Sequence, residues 1–207
     1  MKQNKINKKF VYLISPNKIP NINFYDDLAL VLSSKKISFF QLRLKKETNS
    51  NKLIIGKKIK KICNKYKVKF LINDDPLLAK KLNADGCHLG QKDMDLIKAR
   101  KILKNKIIGV TCHNSINLAK KAINDGADYL AFGAFYATKT KTVKYRASLT
   151  VLKSIKKITS LPIVAIGGIK LNNYKKLLLN KANFLAISGY IWNNKKYKPL
   201  EAIKKLK

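Results

Sequence analysis

The stretch VKFLINDDPLLAKKLNADGCHLGQKDMD, Val68 to Asp95, holds one complete strand–helix–strand unit and the start of the next. Val68–Asn73 is a short apolar run of strand length. Leu77–Leu82 is a helical candidate beginning beside Pro76, and Gly86–Leu89 is strand-like again after the Asp85-Gly86 turn. Working outward, the same alternation repeats. Strand-like runs fall at Phe10–Ser15, Ile37–Leu42, Ile107–Thr111, Tyr129–Phe132, Pro162–Ile166 and Phe184–Ser188. Helical candidates fall at Phe24–Ser33, Asn51–Tyr66, Asp95–Leu103, Ser115–Asp125, Leu149–Thr159, Leu171–Leu179 and Leu200–Lys207. Eight strands alternating with eight helices predict a compact α/β fold, a single (β/α)8 barrel over residues 1–207. Residues 1–9 form a basic N-terminal extension in this reading. A doubly wound open sheet is the alternative, because alternation alone does not report closure.

Composition narrows the function. At 207 residues and 46% hydrophobic content the chain can bury a full core, and no apolar run approaches a membrane span. The polar start leads directly into a strand, which argues against a secretory signal. Cys63, Cys87 and Cys112 lack metal-ligand spacing, so buried inert thiols in a cytoplasmic setting are expected. The net charge of +34 invites a nucleic-acid role. Only Arg43, Arg100 and Arg146 are arginine, however, and the lysines are spread over nearly every segment. Solvated helix faces under a codon bias explain that pattern better than a specific nucleic-acid site. Homo-oligomerisation stays open.

In such a barrel, chemistry gathers at the carboxyl ends of the strands. Gln41, Arg43 and Lys45 end the second strand and Asn73-Asp74 the third. Gln91 and Asp93 follow the fourth, Thr111 ends the fifth, and Thr138–Lys141 follow the sixth. Gly167-Gly168 and Ser188-Gly189 end the last two. Only 11 residues are acidic, and five of them lie between Asp74 and Asp95. Asp74 and Asp93, one unit apart, can offer two carboxylates to one Mg²⁺ completed by water and phosphate oxygens. The competing reading is helix capping by Asp74 or Asp75 and by Asp93. The paired glycines let backbone amides approach a phosphate. Gln41 faces inward, where its amide needs a partner. His88 reads as a hydrogen-bonded structural residue, and His113 carries no stronger signal.

These residues resemble the thiamine phosphate synthase (thiamine-phosphate pyrophosphorylase) family. The matching segments are QLRLK at Gln41–Lys45, IND at Ile72–Asp74, ADGCHLGQKDM at Ala84–Met94 and GVTCHN at Gly109–Asn114. They continue with DGADYLAFGAFYATKTK at Asp125–Lys141, IVAIGGI at Ile163–Ile169 and AISGYIW at Ala186–Trp192. The resemblance implies a magnesium-dependent transferase joining 4-amino-2-methyl-5-hydroxymethylpyrimidine diphosphate to thiazole phosphate, with release of pyrophosphate. It places Gln41, Leu42, Arg43, Leu44, Lys45 and Asn73 on the pyrimidine diphosphate and Asp74 and Asp93 on Mg²⁺. Thr111 and Lys141 fall on the diphosphate, and Thr138, Lys139, Thr140, Gly168, Ser188 and Gly189 on the thiazole phosphate. Arg43, Lys45 and Lys141 take the catalytic role of stabilising the leaving group. The chain departs from the family at Leu44, where Glu is common, and at Asp75, where Arg is common. Thr111 and Gly189 replace frequent serines, and Ala134, Ala137 and Lys139 replace prolines. A related branch, the thiazole tautomerases, has a His after the glycine ending the sixth strand, where this chain has Ala134. A tautomerase-like or degenerate thiazole-phosphate binder and a basic nucleic-acid-binding protein are the alternatives.

Overall fold

The computed structural model describes residues 9–19, 21–138 and 144–207. Its strands are β1 (Val11–Ile14), β2 (Ile37–Leu42), β3 (Lys69–Asn73), β4 (Gly86–Leu89), β5 (Ile107–His113), β6 (Tyr129–Gly133), β7 (Ile163–Ile166) and β8 (Phe184–Ile187). They are parallel, pair in sequence order and close between β8 and β1. Closure removes the open-sheet alternative. The helices are α1 (Asn23–Ser33), α2 (Asn49–Lys65), α3 (Pro76–Lys81), α4 (Leu96–Leu103), α5 (Ile116–Asn124), α6 (Leu149–Ile155), α7 (Tyr174–Leu179), α8 (Gly189–Trp192) and α9 (Pro199–Lys205). The expected helices before β7 and β8 extended further, to Thr159 and from Leu171; the structure ends α6 at Ile155 and begins α7 at Tyr174. The single turn α8 has no counterpart in the sequence reading, since four residues carry no periodicity. None of the described helices is long and apolar enough to cross a membrane.

Period-two alternation sorts each strand into an outer and an inner face. Outer residues such as Val11, Leu13, Phe40, Leu42, Phe70, Ile72, Cys87 and Leu130 join the large core between barrel and helices. Inner residues Tyr12, Ile14, Leu71, Tyr129, Ala131, Val164 and Ala186 fill the lumen, with Phe39 and Phe184 beside them. The three cysteines are free and buried, and burial pushes each thiol up, Cys112 to about 12.

Most carboxylates hold the frame together. Asp75 caps α3 by accepting from Leu78 N at 2.9 Å, and Asp95 caps α4 by accepting from Ile97 N at 3.0 Å. At the amino-terminal end of the barrel, Asp85 accepts from Phe70 N and Asp128 from Ile108 N, each tying a strand to the start of its neighbour. Asn183 does the same for Ile163 N. Arg100 donates to the carbonyls of Lys104, Lys106 and Gly126 and to the Asp128 carboxylate at 2.6 Å. Asp128→Ala is therefore expected to cost about 1–2 kcal/mol, discounted for the half-exposed carboxylate, while leaving turnover unchanged. Urea unfolding beside a steady-state assay checks both halves; unchanged stability would remove this clamp from the account.

Candidate active site at the carboxyl ends of the strands

Because Phe40, Leu42 and Leu44 face outward, Gln41 and Arg43 must face the lumen and Lys45 the rim above it. Leu42 and Leu44 are 3% exposed, and their side chains are spent on the core. Both also lend a wall to the cleft beside Lys45 and Asp74. Gln41 is fully buried, and its Nε2 donates to Tyr12 Oη at 3.1 Å. Arg43 Nη1 donates to Asn17 Oδ1 at 2.8 Å, and its backbone N donates to Ser15 Oγ at 2.9 Å. Ser188 Oγ donates in turn to Ser15 O at 3.1 Å, and Trp192 Nε1 to Ile14 O at 2.7 Å. The ends of β8, β1 and β2 are thus stitched around a buried Ser15, which sequence reasoning did not single out.

With Asp75 and Asp95 committed to caps, Asp74 and Asp93 are left for the rim. Asp74 stands in the left-handed region at φ 65°, a conformation that Asp tolerates better than most residues. Its N donates to His88 O at 2.8 Å, fixing β3 to β4 at the rim. Lys45 Nζ lies 2.9 Å from Asp74 Oδ2. Asp93 Oδ2 accepts from Gly90 N at 2.6 Å. The two carboxyls hydrogen-bond each other. Burial pushes Asp74 up, but the bonds from Asp93 and Lys45 outweigh it and hold Asp74 below the ordinary aspartate value. Burial and the bond to Asp74 push Asp93 above it. Two carboxyls this close disfavour each other's ionised form, and neighbouring positive charge relieves that repulsion. A divalent cation between them would do the same more strongly, so the two-carboxylate donor set suits Mg²⁺, with the Lys45 ammonium already on one oxygen. Beside them opens a cleft of about 190 Å³ lined by Lys45, Lys52, Asn73, Asp74 and Asp75. A smaller cavity of about 130 Å³ lies on the α4–α5 side of Asp93, lined by Gly90, Gln91, Asp93, Met94, Lys121 and Asp125.

Around the rim, Thr111 is half-buried and its Oγ1 lies 2.8 Å from His88 Nε2, while its carbonyl accepts from Gln91 Nε2. His88 is bonded at both ring nitrogens, Nδ1 lying 2.8 Å from Tyr129 Oη. His113, at φ 53°, packs against Tyr145 with centroids 4.3 Å apart and the rings tilted by 31°. After β6 the chain continues beside the end of β7: Phe135 N donates to Ile166 O and Tyr136 N to Gly167 O, both at 3.1 Å. A Cβ at Gly168 would fall 2.2 Å from Ala137 O, so glycine is required there by proximity and by its φ of 63°. Gly168 thereby abuts Tyr136 and Ala137, the residues that lead into the half-buried Thr138, and Ser188 and Gly189 lie at the start of α8. Lys139, Thr140 and Lys141 lie outside the described residues.

Three comparisons bear on this geometry. The family model described as thiamine monophosphate synthase matches residues 11–191. The thiamine-phosphate synthase of Pelagibacter ubique is 98% identical over 207 residues, covering all of both chains. That of Nitrosomonas eutropha is 37% identical over 184 residues, 88% of this chain and 86% of its own. Among solved structures, the thiamine phosphate pyrophosphorylase of Pyrococcus furiosus superposes with a TM-score of 0.83 at 27% identity, covering 98% of this chain and 96% of the other.

Proposed function

The chain belongs to the thiamine monophosphate synthase family, and we propose that it makes thiamine phosphate by a magnesium-dependent dissociative substitution at the rim just described. The observation that supports this route is the meeting of Asp74 and Asp93 beside Lys45 in a chain with so few carboxylates. When bound, Mg²⁺ held by these two aspartates would supply charge neutralisation to the departing diphosphate. Arg43 and Lys45 add fixed positive charge on the same side, and Thr111 adds a hydroxyl. Lys141 takes the same part in this reading, with Thr138, Lys139 and Thr140 holding the thiazole phosphate.

The bond between the pyrimidine methylene and the diphosphate oxygen breaks first, its electron pair leaving with the diphosphate. The electron-rich aminopyrimidine, held by Gln41 and Asn73, carries the resulting positive charge on the methylene. The thiazole nitrogen then donates its pair to that carbon, positioned through its phosphate by Gly168, Ser188 and Gly189. No general base is needed, which fits a rim whose one inward histidine, His88, is bonded at both nitrogens. A cytoplasmic setting accords with the three free thiols.

The test is formation of thiamine phosphate and pyrophosphate from the two purified precursors, with Mg²⁺ and again with excess chelator. Product with Mg²⁺ and at least a hundredfold loss on chelation is expected. Equal rates in both would sink the metal role.

A further inference from the structure

Five inward side chains from five strands form one unbroken hydrogen-bonded chain through the lumen. Gln41 Nε2 donates to Tyr12 Oη at 3.1 Å, and Tyr12 Oη lies 2.8 Å from Tyr129 Oη. Tyr129 Oη lies 2.8 Å from His88 Nδ1, and His88 Nε2 lies 2.8 Å from Thr111 Oγ1. Both phenols are buried in the lumen, and burial pushes both far above the usual tyrosine range, so each keeps its hydrogen. The His88 and Tyr129 rings also stack at 5.6 Å, 18° from parallel. Space for the Tyr129 ring exists only because its neighbour across the sheet is Gly109, where a Cβ would fall 1.9 Å from Cζ.

The proton order follows from one end. Gln41 Nε2 has no lone pair to offer, so Tyr12 accepts from it and must send its own hydrogen to Tyr129. Tyr129 then sends its hydrogen to His88 Nδ1. On that order Nδ1 accepts, and Nε2 carries the ring proton that is donated to Thr111 Oγ1. Thr111 keeps its hydroxyl hydrogen for the rim, and Gln41 keeps Oε1 as an acceptor. With the order reversed, Thr111 would spend its hydrogen on His88 and present only lone pairs to an anion.

We propose that Tyr12, Tyr129 and His88 are positioning residues that polarise this chain, so that its two ends are set oppositely: Gln41 to accept and Thr111 to donate. An aminopyrimidine diphosphate needs that pair, an acceptor for its amino group and a donor for its phosphate oxygens. The inference rests on the proposed synthase reading, which places both ends on that substrate.

Two measurements test it. The first is ¹⁵N NMR of the wild-type protein, assigned with His113→Gln because the chain has only two histidines. Neutral His88 is expected to carry its proton on Nε2; a proton on Nδ1 overturns the proposal, and this readout needs no turnover. The second is a double-mutant cycle on KM with Tyr12→Phe and Thr111→Val, which are joined only through Tyr129 and His88. Each single change is expected to raise KM for the pyrimidine diphosphate about tenfold, with KM for the thiazole phosphate within about twofold. The pair should cost no more than about threefold beyond Thr111→Val alone, because a chain broken once has little left to lose. Thr111→Ser should stay within about threefold of wild type. Multiplying effects, or both KM values rising together with a lower melting temperature, would reduce the chain to core packing. A wild-type protein forming no thiamine phosphate would refute the synthase reading instead, leaving the tautomer result standing.

Discussion

Asp74→Asn is expected to cut kcat/KM for magnesium-dependent coupling about a thousandfold, roughly 4 kcal/mol of leaving-group stabilisation, while the fold persists. The split comes from the local roles. Asparagine keeps the short polar side chain that tolerates the left-handed backbone at φ 65°, and the bond from residue 74 N to His88 O does not depend on the side chain. What is lost is one negative charge at the proposed metal site and the ion-pair partner of Lys45. The contrast is Asp75→Ala one residue later, where the carboxylate caps α3. That change should cost about 1 kcal/mol of stability, by the usual worth of a cap, with a far smaller effect on turnover. Denaturation midpoints and Mg²⁺-titrated kinetics on both variants separate the assignments. If Asp75→Ala proved the more damaging to catalysis, metal and cap would have to exchange places.

That contrast also marks what the sequence could carry. Strand positions were legible to within one or two residues, because apolar alternation separates the two faces of a strand: Gln41 and Arg43 toward the lumen against Leu42 and Leu44 toward the helices is that rule at work. Barrel closure was expected from eight repeats but not decided by alternation alone, since the β8–β1 pairing depends on contacts between residues more than 170 apart, as in Leu13 with Ile187. The division of labour among Asp74, Asp75, Asp93 and Asp95 was ambiguous for a chemical reason. Helix caps and metal ligands both call for a short carboxylate at a strand-to-helix turn, and only backbone geometry separates them. Tyr12 and Tyr129 passed unmarked because an aromatic inside a strand reads as core, and their hydroxyls acquire meaning only across the lumen. Gly109 was a signal available in advance, a residue without a side chain in a strand, but it does not name the ring it makes room for.

Gly168→Ala is expected to raise KM for the thiazole phosphate by about thirty- to a hundredfold, with KM for the pyrimidine diphosphate within a few-fold of wild type. Two costs act together. The backbone at φ 63° is strained for any residue with a Cβ, by about 1–2 kcal/mol. The new methyl would also fall 2.2 Å from Ala137 O and 2.8 Å from the Tyr136 carbonyl carbon. Those are backbone atoms, so no side-chain rotation relieves them and the segment from Phe135 to Thr138 must move. The bonds from Phe135 N to Ile166 O and from Tyr136 N to Gly167 O hold that segment against β7. Yielding there shifts Thr138 away from the paired glycines, while Asp74, Asp93 and Lys45 on the β2–β4 side keep their places. A total of roughly 2–3 kcal/mol, confined to one substrate, corresponds to the stated range. Initial-rate kinetics with each substrate varied in turn reads the result directly. Equal loss for both substrates would mean that the glycine serves the barrel as a whole, and an unchanged thiazole phosphate KM would place that phosphate elsewhere on the rim.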